Sequence, residues 1–225
     1  QLLPFFEQAP LYSQINFSLP ITATANDSAR LAEIDVLRCP SDFDNPQPQA
    51  GGAINYYGNK GSSILWQSNS ADGLFYASSR VRFRDITDGT SSTAAFSERL
   101  LTDGNNGLVS PQSDVFLGTT DPMTQDEAVS MCQAVNINNL ANQFPIFMGA
   151  PWINGQHCYL HVDVPNSRSC GFYPTKATMP CSSRHPGGAQ TAMADGVVRF
   201  VSENVDRNVW RAVGTRDGGE TVGKF

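Results

Sequence analysis

The clearest structural signal in this sequence is the dipeptide Asp195-Gly196, which separates two short runs of β-forming residues. The runs cover residues 190–194 and 197–201. Asp-Gly between two extended runs favours a two-residue turn, because both turn positions must accept a positive φ. The pattern therefore predicts an antiparallel β-hairpin near the end of the chain.

Two helices are predicted from residues that are suited to capping them. Thr124 precedes a helical pattern over residues 125–135, and Glu127 stands at the capping-box position. Asn204 or Asp206 begins the second pattern, directly after the predicted hairpin. We therefore expect one helix in the middle of the chain and one close to its end.

The remaining elements are short, because Gly, Pro, Asn and Asp interrupt the apolar runs. Residues 2–17 read as a helix broken at Pro10, and Asp27 is a candidate N-cap for a helix ending near residue 34. Short strands are predicted at residues 36–39, 53–57, 74–76, 81–83, 93–96 and 221–225. Short strands with a few short helices indicate an α+β fold dominated by an antiparallel sheet. We expect one domain over residues 1–225, with residues 103–150 as an insertion.

Few residues of this chain carry charge, and the net charge is negative. Charged residues make up 16% and the net charge is −6, whereas about 25% of an average soluble domain is charged. Nucleic-acid binding needs clustered Lys and Arg, and the nearest cluster, Arg80, Arg82 and Arg84, is small. No run of about 20 apolar residues occurs, so we expect no transmembrane helix here. Neither nucleic acid nor a membrane is expected to contact this chain.

A histidine motif precedes the predicted hairpin, and nine residues separate His185 from Asp195-Gly196. Other short segments accompany it in order along the chain: Leu2-Leu3-Pro4-Phe5-Phe6, Arg38-Cys39-Pro40-Ser41-Asp42, Asn55-Tyr56-Tyr57-Gly58-Asn59, residues 85–91 with Glu98-Arg99, His161 with Pro165-Asn166, and Trp210-Arg211-Ala212. In this order they resemble the His-x(9)-Asp-Gly domain of bacterial proteins that carry prepilin-type cleavage and methylation signals. The resemblance covers most of the chain apart from residues 103–150.

The resemblance implies a pilin-like globular head located outside the cytoplasm. Proteins of this kind usually carry a long hydrophobic N-terminal helix that packs against other pilin-like subunits in a type IV pilus or a type II secretion pseudopilus. The chain starts abruptly with apolar residues, so we expect such a segment upstream of Gln1. The expected function is that of a structural or secretion-associated subunit at the cell surface or in the periplasm.

The residues of the histidine motif are better explained by a structural role than by catalysis. A histidine oriented by a carboxylate can act as a general base, which would pair His185 with Asp195. Asp195 is better explained by the turn, where Asp suits the backbone geometry, and His185 by a local hydrogen bond. The sequence contains no GxSxG elbow, HExxH helix, P-loop or GxGxxG motif. We therefore treat His185, Asp195 and Gly196 as structural and expect no enzymatic activity.

Aromatic side chains indicate an alternative function as a carbohydrate-binding module on the cell surface. Trp66, Tyr76, Trp152 and Tyr159 would stack on sugar rings if they were exposed. His161 is a further candidate ligand contact, although a histidine of this kind is more often packed inside the protein. A carbohydrate-binding role requires these side chains to be exposed, whereas a structural role does not.

Calcium is the only cofactor for which candidate ligands were found, since calcium takes several oxygen ligands from a flexible loop. The candidates are residues 42–45 and Asp121 with Asp126 and Glu127. Neither group has EF-hand spacing, and a solvated acidic loop explains both. We therefore expect no cofactor.

The cysteines are expected to form disulfides because the resemblance implies export to an oxidising compartment. Cys132, Cys158, Cys170 and Cys181 should form two bridges, in any of three pairings. In the resembled family, a cysteine near the end of the N-terminal helix is a natural partner for the Cys-Pro-Ser-Asp segment. Cys39 should therefore be unpaired here.

Overall fold

Short strands form two sheets in the part of the chain that the structure describes, which is residues 2–144, 147–220 and 222–223 of a computed structural model. The strands are Tyr56–Asn59 (β1), Ala94–Glu98 (β2), Val115–Leu117 (β3), Cys158–Tyr159 (β4), Ser169–Phe172 (β5), Lys176–Thr178 (β6), Gly188–Met193 (β7) and Val198–Ser202 (β8). The larger sheet has the order β4-β1-β2-β7-β8, and the smaller one the order β3-β5-β6.

Most neighbouring strands of the larger sheet are antiparallel. β1 pairs with β2, β2 with β7 and β7 with β8 in this way, whereas β4 adds to β1 in parallel. In the smaller sheet β3 and β5 are parallel, and β5 and β6 antiparallel. The predicted α+β class is confirmed, with 20% helical and 16% strand residues.

The α-helices of the described residues are short and lie around the sheets. They are Ala9–Ser13 (α1), Asp27–Leu31 (α2), Gln125–Ala134 (α3) and Arg207–Gly214 (α4). Single 3₁₀ turns occur at Leu3–Phe6, Thr24–Asn26, Asp35–Leu37, Phe83–Asp85 and Leu140–Asn142. None of the helices in this part of the chain is long and apolar enough to cross a membrane.

The predicted hairpin is confirmed, but its turn is one residue longer than expected. Ala192 pairs with Val198, and the N–H of Gly196 donates to the carbonyl of Met193 over 2.9 Å. The loop therefore has three residues and resembles a type I turn followed by a left-handed residue. Gly196 has a φ of 88°, while Asp195 accepts a hydrogen bond from the N–H of the residue after Gly196.

Helix capping was predicted correctly at two positions. The Thr124 side chain accepts a hydrogen bond from the Glu127 N–H at the start of α3. The Asp206 side chain accepts bonds from two N–H groups at the start of α4. Local hydrogen bonding within a few residues determines these starts, so the sequence alone is sufficient to find them.

Several short elements were predicted incorrectly because tertiary hydrogen bonds override weak local preferences. The 3₁₀ turn Asp35–Leu37 overlaps residues 36–39, and no strand forms there. Residues 74–76 and 81–83 form no strand, and the predicted helix over residues 2–17 is interrupted at Glu7 and not at Pro10, which lies in the first turn of α1. Asp27 lies inside α2, with Asn26 at the N-cap position, and the helix ends at Leu31. The predicted strand at 221–225 lies mostly outside the described residues.

Both sheets contribute to one apolar core, which also contains residues of α3 and α4. The core includes Tyr57 of β1, Phe116 of β3, Phe172 of β5 and Trp210 of α4, all essentially inaccessible to solvent. Residues 103–150 supply β3 and α3 to it. Whether this segment is an insertion stays a prediction.

The disulfide pattern differs from the expected one. Cys132 of α3 is bonded to Cys170 of β5, which ties the central helix to the smaller sheet. Among the five cysteines, all of which the structure describes, Cys39, Cys158 and Cys181 are free thiols. The expectation of a second bridge is therefore wrong, whereas the unpaired state of Cys39 is confirmed. Cys181 is fully buried, and the thiol of Cys158 lies against a backbone carbonyl.

Thiol labelling tests this pattern. Alkylation of unreduced protein in denaturant should label Cys39, Cys158 and Cys181, and digestion should yield a linked peptide containing Cys132 and Cys170. Replacing both bonded cysteines by alanine should lower the free energy of unfolding by about 2–4 kcal/mol, because the bridge restricts the unfolded chain. The control is Cys158→Ala, which breaks no bridge, and a linked peptide joining Cys158 to Cys181 would contradict the structure.

Candidate functional site

The histidine of the sequence motif has a carboxylate neighbour, but it is Glu98 and not Asp195. The His185 Nε2 atom lies 3.2 Å from Glu98 Oε1 and 3.8 Å from the Cys39 sulfur. The Cys39 sulfur lies 3.6 Å from the same carboxylate oxygen. Asp195 lies in the hairpin turn, at the opposite end of β7 from His185. The structure therefore brings together a thiol, a carboxylate and an imidazole from distant parts of the chain.

Strand register explains how Glu98 reaches this position. Glu98 ends β2, and the pairing of Ser97 with Thr191 puts it next to the start of β7. The Gln190 N–H donates to Glu98 Oε2 over 2.8 Å, which leaves Oε1 directed at His185 and Cys39. The carboxylate is thus oriented by the same strand that His185 precedes.

The side chain of Asn55 holds the Cys39 segment against the sheet. Its Oδ1 atom accepts hydrogen bonds from the Cys39 N–H, over 3.0 Å, and from the Arg38 guanidinium. Its Nδ2 atom donates to Asp42 and to the carbonyl of Arg99. The Asn55 N–H also donates to the carbonyl of Leu37 over 2.9 Å, so the backbone and the side chain of Asn55 together hold the loop that carries the thiol.

The cluster is largely shielded from water, with one side open. Cys39 is 7% exposed and Glu98 4%, whereas the His185 side chain is 34% exposed. Burial, together with the charge of Glu98, raises the pKa of the Cys39 thiol. The thiol is therefore protonated near neutral pH and donates its hydrogen bond to Glu98.

This geometry does not match that of a cysteine protease-like triad. In such a triad the histidine contacts the nucleophile through one ring nitrogen and the orienting carboxylate through the other. Here the same nitrogen, Nε2 of His185, faces both the Cys39 sulfur and Glu98. An activated thiol also requires a lowered pKa, and that of Cys39 is raised.

A surface groove contains two of the candidate ligand contacts, Trp66 and Tyr76. It has a volume of about 660 Å³ and is lined by Trp66, Phe75 and Tyr76, with Lys60, Cys158 and several Ser, Asn and Gln residues. Tyr76 and Ser78 also line an adjoining depression that contains three arginines: Arg80, Arg84 and Arg216. Asp85 and Asp217 line the same depression and pair with Arg84 and Arg216, so the groove combines aromatic faces and hydrogen-bonding groups with a neighbouring region of mixed charge.

The other candidate ligand contacts differ in exposure. Tyr159 and His161 are fully buried, with the His161 ring against Trp210 of α4 and the Tyr159 ring against His161. Trp152 is partly buried and donates its indole N–H to the carbonyl of Ala32. Tyr159 and His161 are therefore not exposed to a ligand at the surface, whereas a ligand contact at Trp66, Tyr76 or Trp152 stays a prediction.

Protein donors already occupy the carboxylates considered for calcium. The Asp42 carboxylate accepts hydrogen bonds from Arg184, Asn55 and the Leu101 N–H. Asp121 is paired with Lys176, and Asp126 with Arg211. Glu127 accepts a bond from a backbone N–H. Calcium binding at either place would require breaking these contacts.

The family described as "Protein of unknown function (DUF1559)" matches residues 1–208. The chain belongs to this family. No curated protein and no solved structure matches it.

In this DUF1559 chain, the three residues of the cluster belong to segments that the sequence had already singled out. Cys39 lies in the Cys-Pro-Ser-Asp segment, Glu98 next to Arg99, and His185 in the histidine motif. Their proximity was missed, because no local pattern joins positions separated by 59 and 87 residues. Only the strand register determines which carboxylate faces the histidine.

The burial of the His161 ring can be tested through the pH dependence of its protonation. Its Nδ1 atom lies 2.9 Å from the Trp210 carbonyl and its Nε2 atom 2.9 Å from the Tyr159 hydroxyl. Burial lowers the pKa of His161 to about 3, although the Trp210 carbonyl opposes the shift. Below the ordinary value of 6.5 the unfolded chain binds a proton that the folded one does not. The contribution to stability is therefore complete above pH 6.5 and declines as the pH falls towards 3.

NMR should show that the His161 ring signals do not shift between pH 8 and about pH 4.5, as expected for a pKa near 3. His157→Gln and His185→Gln variants assign the three histidines by elimination. The control is the protein unfolded in urea, in which all three should titrate at ordinary pKa values. A His161 midpoint near 6.5 in the folded protein would contradict the buried neutral ring.

Proposed function

We propose that this chain is the extracytoplasmic head of a pilin-like subunit with a structural or secretion-associated role. The observation that carries the proposal is the family match over residues 1–208, since the family is associated with pilin-like and prepilin proteins. The short sequence segments that accompany His185, in the same order along the chain, support the finer assignment to the His-x(9)-Asp-Gly type. Contacts with other pilin-like subunits would use the hydrophobic N-terminal helix that such proteins usually carry.

The disulfide supports a location outside the cytoplasm. The Cys132–Cys170 bridge joins a helix to a strand of the core, and bonds of this kind persist in oxidising compartments. Both positions are fully or almost fully buried, so the bridge stabilises the fold and is not an exposed redox pair.

The geometry of the Cys39 cluster does not favour a role as a catalytic thiol. The thiol is protonated near neutral pH, and one nitrogen of His185 faces both of its neighbours. An acyl-transfer site would also need donors aimed at the developing oxyanion. A structural or binding role requires none of these features.

Processing of the full gene product tests the leading proposal. In a bacterium with a prepilin peptidase, the product should lose a short leader, acquire an N-methylated first residue and reach the envelope with Cys132–Cys170 oxidised. Mass spectrometry of the mature N-terminus measures this, and a peptidase-deficient strain is the control. An unprocessed cytosolic product with five reduced cysteines would reject the proposal.

Carbohydrate binding is a second candidate function, favoured by the groove that contains Trp66 and Tyr76. Aromatic rings beside amides and hydroxyls are suited to stack on sugar rings and to bond their hydroxyls. This role is compatible with a pilin-like head and uses a different surface from the Cys39 cluster.

A glycan array followed by titration tests this second candidate. Trp66→Ala and Tyr76→Ala should each weaken polysaccharide binding about 3- to 10-fold, since an aromatic contact contributes about 0.5–1.5 kcal/mol. Phe5→Ala is the control, because Phe5 is 82% exposed and does not line the groove. Equal binding by all three variants would show that the binding site lies outside this groove. The absence of binding to any glycan would reject this function.

A further inference from the structure

We infer that Cys39, Glu98 and His185 form a binding site for one divalent transition-metal ion of the zinc type. Their ligand atoms, one sulfur, one oxygen and one nitrogen, all lie within 4.8 Å of one another. The inference does not depend on the pilin-like role, because it rests on the geometry of these three side chains.

The distances between the ligand atoms match those of a tetrahedral site. Zinc binds sulfur at about 2.3 Å and nitrogen or oxygen at about 2.0–2.2 Å, so tetrahedral ligand atoms are about 3.3–3.7 Å apart. The observed separations are 3.2 Å for Glu98 and His185, 3.6 Å for Cys39 and Glu98, and 3.8 Å for Cys39 and His185. An ion could therefore bind with side-chain shifts of only a few tenths of an ångström.

The types of ligand determine which ions are suitable. Calcium and magnesium take oxygen ligands, and a site with a thiol and an imidazole does not suit them. Zinc accepts sulfur, nitrogen and oxygen together. The charges also balance, since one carboxylate and one thiolate neutralise a divalent ion in a region where Glu98 is 4% exposed. Binding displaces the thiol proton of Cys39 to solvent.

Surrounding hydrogen bonds hold the carboxylate of Glu98 and the backbones of the other two ligands, and such supporting contacts are usual around metal ligands. The Gln190 N–H holds the oxygen of Glu98 that does not face the cluster. Asn55 accepts a bond from the backbone N–H of Cys39, and the Ser183 hydroxyl accepts one from the backbone N–H of His185. The ligands therefore come from three segments that are fixed independently of the ion.

One coordination position is left for water. His185 has a side chain that is one-third exposed, so the cluster reaches the surface there. On the Cys39 side lies a depression of about 440 Å³ that also contains Arg38, Asp42 and Asp44. Three protein ligands and a water complete a four-coordinate ion, which would fasten the Cys39 loop to the start of β7.

Titration of the EDTA-treated chain with cobalt(II) and zinc tests the inference. Cobalt should produce visible bands of a tetrahedral ion and a near-ultraviolet band from the thiolate, at one ion per chain. Zinc should displace cobalt and raise the melting temperature, because it binds the folded state. A cobalt spectrum without the thiolate band would overturn the inference.

Matched variants assign the ligands. Cys39→Ser and His185→Asn should weaken zinc binding about 100-fold or more, beyond the 10- to 100-fold expected for loss of a supporting residue. Cys158→Ser removes a free thiol outside the cluster and should bind zinc like the wild type. Zinc binding that is unchanged in Cys39→Ser would overturn the site.

A second measurement uses only the wild-type chain, in case a variant does not fold. Zinc should slow alkylation of Cys39 at least 10-fold while leaving the alkylation rate of Cys158 unchanged, as expected when a metal blocks one thiol. Equal rates at Cys39 with and without zinc would contradict the inference independently of any substitution.

Discussion

Three segments of the chain meet at the buried side-chain amide of Asn55. Asn55 is 1% exposed. Its side chain bonds the backbone N–H of Cys39, the Asp42 carboxylate and the carbonyl of Arg99, the residue after Glu98. Losing the side chain would remove the bonds to the Cys39 N–H and the Arg99 carbonyl, and an unpaired buried polar group costs about 1–3 kcal/mol. The backbone of Asn55 also bonds Leu37 and Arg99, so this residue as a whole joins the loop of the thiol to the residue that follows β2.

Two consecutive residues at the end of β2 have opposite environments. Glu98 faces His185 and Cys39 near the surface, whereas the guanidinium of Arg99 is fully buried and donates to the carbonyl of Pro180. Burial lowers the pKa of Arg99, while Tyr57 and Cys181 oppose this. Glu98 ends β2 and Arg99 follows it, and successive side chains of an extended chain point to opposite faces, so this dipeptide contributes both to the Cys39 cluster and to a polar contact inside the protein. The same segment thus couples the candidate site to the core.

The candidate site and the groove have different physical characters, which agrees with two separate roles. The Cys39 cluster is compact, partly buried and composed of metal-ligating groups. The groove beside Trp66 is wide and lined by aromatic and amide side chains, and its Lys60 donates to a backbone carbonyl. One domain can carry both, because the first would stabilise a loop and the second would contact a partner.

Local chemistry in the sequence determined the hairpin, the starts of α3 and α4, and the α+β class. Each of these depends on residues a few positions apart, such as Asp206 and the N–H groups that follow it. Tertiary structure alone decided that Glu98 and not Asp195 faces His185, that Cys132 pairs with Cys170, and that His161 is buried. The physical reason is that strand register and core packing bring together atoms separated by tens of residues, and no local pattern carries that information.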